Sequence, residues 1–156
     1  MTDRSEVLEI VREFDAPPAE LFELFSTEEH LKHWWTPSED GSYFTTPHCQ
    51  VDFREGGRWR MCLLSPSGVE YWQGGAYTLV EPPGRLEFSF RWDPLEGQPD
   101  NEMHVSIRLT ELPGGRTRMD FRQSPFPSML QREGHRGGWN AVFDRLGLYL
   151  REAGRN

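Results

Sequence analysis

Leu86-Glu87-Phe88-Ser89-Phe90-Arg91-Trp92 alternates without a break between large apolar and polar side chains. In extended backbone successive side chains point to opposite faces, so Leu86, Phe88, Phe90 and Trp92 share one face and Glu87, Ser89 and Arg91 the other. A strand with one dry and one wet face belongs to an antiparallel sheet that is covered on one side only. What covers the dry face decides the fold.

The same alternation recurs on both sides of this stretch. Met103, Val105, Ile107 and Leu109 oppose His104, Ser106, Arg108 and Thr110; Met119 and Phe121 oppose Arg118, Asp120 and Arg122; Trp59, Met61 and Leu63 oppose Arg58, Arg60 and Cys62. Strands are predicted at about 49–53, 58–64, 70–80, 86–92, 103–112 and 117–123, after a first strand at Val7–Phe14. Turn clusters such as Glu55-Gly56-Gly57, Pro66-Ser67-Gly68 and Pro113-Gly114-Gly115 separate them, and connections this short argue for a consecutive antiparallel meander.

The cover lies at the end of the chain. Trp139, Val142, Phe143, Leu146 and Leu150 fall on one helical face, with Asp144, Arg145, Arg151 and Glu152 elsewhere. Gly137 and Gly138, just before this stripe, weaken a helix and read as a kink or a close approach to the sheet. Between the first strand and the meander, Pro17-Pro18 opens a short helix carrying Leu21, Phe22 and Phe25, and the capping-box spacing of Ser26 and Glu29 predicts a second one through about His33.

Composition narrows the function classes. With a formal net charge of -8 the phosphate-neutralising charge that supplies most non-specific nucleic-acid affinity is missing, so neither nucleic acid nor an anionic membrane is expected as a partner. Met1–Glu9 is charged and no apolar run approaches a membrane span of roughly 20 residues, so a cytoplasmic, single-domain protein over residues 1–156 is expected. Cys49 and Cys62 fall on opposite strand phases and read as reduced thiols.

Several local motifs resemble one known family. They are Phe14-Asp15-Ala16-Pro17, Leu31-Lys32-His33-Trp34-Trp35-Thr36-Pro37, Asp52-Phe53-Arg54-Glu55-Gly56-Gly57-Arg58-Trp59, Gly75-Ala76-Tyr77, Pro82-Pro83-Gly84-Arg85-Leu86, Gly115-Arg116-Thr117 and Gly138-Trp139. Their order is similar to that of the START and birch-pollen-allergen-like (SRPBCC) superfamily, in its branch named after the activator of the heat-shock protein 90 ATPase. The resemblance implies an α+β helix-grip fold: a curved antiparallel sheet of about seven strands, in the order strand, two helices, six strands, helix, wrapped around the long C-terminal helix. It also implies a cavity between sheet and helix, which wider superfamily members use for lipids, hormones and polyketides.

Six Trp, ten Phe and four Tyr bring the aromatic fraction to 13%, and rings of this kind either fill a core or line a pocket. The residues expected to line one are Trp34, Trp35, Trp59, Met61, Tyr71, Trp72, Phe90, Trp92, Phe121, Trp139 and Phe143, around a small apolar or aromatic molecule. No cofactor is expected. His30, His33, His48, Cys49, His104 and His135 lack the spacing of a metal motif, and no catalytic triad, phosphate loop or dinucleotide fingerprint is present. Arg60, Glu70 and Gln73 resist assignment to a face, because Gly74-Gly75 can admit a bulge; any of them turned inward is the best ligand-orienting or catalytic candidate. The leading reading is a binding protein. Its rivals are a cyclase- or hydrolase-like enzyme in the same cavity and a co-chaperone-like docking domain. The partners left open are a chaperone, on the family name alone, and a second copy of the chain.

Overall fold

In chain order the elements are β1 (Leu8–Phe14), α1 (Pro18–Glu23), α2 (Glu28–Trp34), β2 (Ser38–Glu39), β3 (Ser42–Tyr43), β4 (Thr45–Val51), β5 (Arg58–Leu64), β6 (Glu70–Glu81), β7 (Arg85–Trp92), β8 (Met103–Leu112), β9 (Arg116–Ser124) and α3 (Met129–Ala153). The structure, a computed structural model, describes residues 6–39, 41–93 and 102–153; the first residues of the charged opening stretch, 1–5, lie outside these.

Seven strands form one antiparallel sheet in the order β1-β9-β8-β7-β6-β5-β4. The six strands from β4 to β9 are therefore a meander, and β1 closes its far side beside β9. The alternation read from the sequence sets the two faces: Leu86, Phe88, Phe90, Val105, Ile107, Met119 and Phe121 are all buried. The bulge that Gly74-Gly75 could admit does not fall there, where pairing with β5 is continuous; the register against β7 shifts later, between Tyr77 and Leu79. Gly75 serves a different need. A Cβ there would sit 1.9 Å from the Ser89 carbonyl oxygen, the acceptor of the Trp59 indole N–H at 3.0 Å. Only glycine leaves that carbonyl clear.

The second short helix begins one residue later than the capping-box spacing predicts. Thr27, not Ser26, is its N-cap and accepts from the His30 amide at 3.2 Å, while the Ser26 hydroxyl donates to the Glu23 carbonyl at the end of α1. The two-residue strands β2 and β3 form a small separate hairpin in a stretch whose Ser, Gly and Thr content reads as loop.

Helix α3 starts ten residues before the Trp139 stripe. Ser128 caps it by accepting from the Gln131 amide at 3.2 Å. Its C-terminal half is held on the dry face by the Phe121–Trp139 and Phe121–Phe143 ring pairs, with centroids 4.7 and 5.3 Å apart. The Trp139 indole also donates to Gln123 Oε1 at 2.7 Å in the buried interior, and Arg12 on β1 pairs with Asp144 at 2.7 Å outside it. The expected close approach at Gly137 and Gly138 is absent. A Cβ at Gly134, Gly137 or Gly138 would meet nothing within 4 Å.

Candidate functional site

The N-terminal half of α3 stands off from the sheet and leaves a cavity of about 340 Å³. From the sheet, Leu63 on β5, Gln73 on β6, and Phe90 and Trp92 on β7 form its floor. The chain leaving α2 adds Trp35 and Pro37 at one side. Gln131, Gly134, His135, Gly138, Trp139 and Val142 recur at helical spacing and form the roof. Two of these roof residues are glycines, so the helix presents bare backbone where any other residue would project into the space. No lysine, arginine, aspartate or glutamate side chain contributes to the wall.

Toward α1 and α2 the interior closes up. Trp35, Trp59, Phe88 and Tyr77 pack edge-on or tilted there, and the remaining gap, about 10 Å³, is barely one water's space. On the other side the cavity adjoins an outer cleft of about 610 Å³ that adds Phe44, Glu70, Tyr71, Trp72 and Asp93. Pro37, Leu63, Trp92, Gln131 and His135 line both spaces.

The hydrogen bonds of His135 define its state. Trp92 Nε1–H has no acceptor capacity, so at 2.9 Å it must donate to His135 Nε2. The ring proton then sits on Nδ1, which donates to the Gln131 carbonyl oxygen at 3.0 Å. Burial among Phe90, Trp92 and Phe126 pushes the imidazole pKa down, outweighing the backbone bond that acts in the opposite sense. His135 is thus a neutral wall group with both nitrogens engaged.

Gln73 is different. It is only 1% exposed, its neighbours on the wall are apolar or aromatic, and its Oε1 has no hydrogen-bond partner. The other orphaned buried oxygen among the described residues, Thr36 Oγ1, does not line the cavity. Of the three residues whose face the sequence left open, Gln73 is the one turned inward. Arg60 lies on the opposite face, bonded to Asp93 at 2.6 Å with its guanidinium 4.9 Å over the Trp72 ring, and Glu70 is exposed.

Of the residues expected to line a pocket, the fold brings Trp35, Phe90, Trp92 and Trp139 around the inner cavity. Tyr71 and Trp72 reach only the outer cleft, Trp72 with its ring stacked on His48. Trp34, Trp59, Met61, Phe121 and Phe143 do not reach the cavity and pack in the core around it; Trp34, for example, is fully buried and donates its indole N–H to the Leu24 carbonyl at 2.9 Å. The helical part of the roof ahead of Trp139 was not foreseen. Its signal was present as Ser128 followed three residues later by Gln131, the spacing of a capping box.

The other chemistry-bearing groups are dispersed. Cys49 and Cys62 are free, and burial pushes the Cys49 thiol up to about 12, far from a reactive thiolate. His30 bonds Tyr149 Oη at 2.7 Å and His33 stacks on the same ring. Among the described residues no three His, Cys, Asp or Glu side chains gather as a metal site, and no helix is long and apolar enough to cross a membrane.

An antiparallel sheet closed over a long terminal helix, with an aromatic space between them, defines a helix-grip domain. Residues 15–151 match the family model for activator of Hsp90 ATPase homolog 1-like protein, and the chain belongs to that family. Solved structures carry the same fold. A crystal structure of a protein from Chromobacterium violaceum is 26% identical with a TM-score of 0.76, covering 91% of this chain and 95% of that one. One from Silicibacter pomeroyi is 25% identical with a TM-score of 0.78, covering 94% and 99%. A third, from Nitrosomonas europaea, is 22% identical with a TM-score of 0.78 over 99% and 100%. No curated protein matches.

Proposed function

We propose that the chain is a binding protein for a small, uncharged, apolar or aromatic molecule held between the sheet and the N-terminal half of α3. The observation that carries this reading is the 340 Å³ cavity with an aromatic wall free of charged side chains. Ligand sites of this kind span roughly 300–1,000 Å³, are mostly apolar and hold few polar groups. An interior packed solid would favour a docking role instead; the open volume under α3 supports the cavity reading. Trp35, Phe90, Trp92 and Trp139 supply the contact area.

Isothermal titration calorimetry and thermal unfolding with a panel of neutral bicyclic aromatics test the reading. A ligand that binds only the folded chain must stabilise it, by about 2.7 kcal/mol at a concentration one hundred times Kd. The expected result is binding heat and a raised Tm for at least one member of the panel. Neither effect with any member contradicts the reading.

A further inference from the structure

Trp92 lies at the end of β7, where one neighbouring strand still holds the backbone. It pairs with Gln73 on β6, while on the β8 side the paired residues stop at Phe90, opposite Met103. Its ring belongs to the cavity floor and meets Phe90 and Tyr71 edge-on, with centroids 5.5 and 6.4 Å apart. The indole N–H reaches the roof, donating to His135 Nε2 at 2.9 Å. Floor and roof are tied by a bond whose acceptor is a titratable nitrogen.

That bond requires a neutral imidazole. Nδ1–H donates to the Gln131 carbonyl at 3.0 Å, so a proton taken from solvent goes to Nε2 and sets one N–H against another. The inner wall has no carboxylate to receive the new charge. The charged neighbours along α3, Arg132, Glu133 and Arg136, pair with one another. From β7 and the segment after β9 the imidazole meets the rings of Phe90, Trp92 and Phe126. The outer cleft, which His135 also lines, adds the Tyr71 hydroxyl, Glu70 and Asp93, and Asp93 is paired with Arg60.

We infer that the Trp92–His135 bond is a proton-sensitive tie: neutral His135 holds the Trp92 ring in the cavity wall, and a proton on His135 breaks the tie and weakens ligand binding. This rests on the reading of the cavity as a binding site, and it makes His135 a positioning residue. The coupling is reciprocal, so bound ligand also makes His135 harder to protonate. Burial holds the folded imidazole below its usual value of about 6.5, so binding is at full strength above that pH and is lost below it.

The test is calorimetry with 1-naphthol, neutral throughout, in steps from pH 7.5 to 4.5, beside ¹H–¹⁵N NMR of the imidazole over the same range. In wild type the Kd is expected to be raised about twofold at the His135 midpoint and about tenfold for each pH unit below it, and saturating 1-naphthol is expected to lower that midpoint. The free chain at pH 7.5 is expected to show the Nδ1–H tautomer. His135→Gln is expected to lose the acid-dependent fall, whatever its affinity at pH 7.5. Trp92→Phe keeps a ring but no N–H, and is expected to raise the His135 midpoint, because the neutral imidazole loses the donor that favours it. A wild-type Kd that holds still while His135 titrates, or a fall that persists in His135→Gln, overturns the coupling and leaves the cavity reading standing; a His135 that never titrates in the folded chain does the same. The Nε2–H tautomer, or a midpoint that Trp92→Phe leaves in place, overturns the tie. No binding of 1-naphthol at any pH overturns the cavity reading, while the midpoints of wild type and Trp92→Phe still decide the tie.

Discussion

Gln73 and Gln123 give opposite expectations for the same substitution. Gln123→Leu strands the buried Trp139 indole N–H and is expected to lower stability by about 1–3 kcal/mol. Gln73→Leu removes an orphaned oxygen and is expected to leave stability unchanged or raise it by about 1 kcal/mol. Urea unfolding of the two variants checks the pair. His135 gives a pH dependence. Its folded pKa lies below the usual value of about 6.5, so as pH falls through that value the unfolded chain takes up a proton that the folded chain refuses, and stability falls with it. Between pH 7.5 and 5.5 the wild-type Tm is expected to drop more than that of His135→Gln, which keeps an acceptor for Trp92 but does not titrate. Inward and outward residues were legible wherever alternation ran unbroken, as from Leu86 to Trp92. The Gln73 orientation was not: it depends on where β6 bulges, and the shift at Tyr77–Leu79 leaves no mark in residue type.

Helix α3 does two jobs along its length. From Trp139 onward it packs, through Phe143, Leu146 and Leu150, with Trp139 and Val142 also facing the cavity, and that half announces itself as an apolar stripe. From Met129 to Gly138 it roofs a space, and a roof of glycines and polar residues carries no such periodicity. The glycines separate the two roles experimentally. Gly137 is exposed and does not line the cavity, so Gly137→Ala is expected to add about 0.5–1 kcal/mol of stability with ligand affinity unchanged. Gly138 lines the cavity with open space before it, so Gly138→Leu is expected to lower affinity at least tenfold without unfolding the chain. Urea unfolding and calorimetry on the two variants read these effects. The β2–β3 hairpin was illegible for a simpler reason, since two residues a side are too few for any alternation to show.

At the scale of the whole molecule, the sheet and helix enclose more volume at one end than the side chains fill. Trp35, Trp59, Phe88 and Tyr77 close the end toward α1 and α2, while Gly134 and Gly138 leave the other end open. The fold could be read from strand phases, the terminal stripe and the family motifs. The cavity could not, because its volume is a small difference between the space the sheet encloses and the rings that fill it. The central claim is that a ligand enters under the N-terminal half of α3. The six tryptophans are built-in reporters of this, since they divide between cavity, core and outer face. In a ¹⁵N-edited NMR titration with 1-naphthol, the Trp92 and Trp139 indole N–H signals are expected to shift in a saturable way, while those of Trp34 in the core and Trp72 on the outer face hold still. Shifts confined to Trp72, or no shift at any indole, would contradict the account.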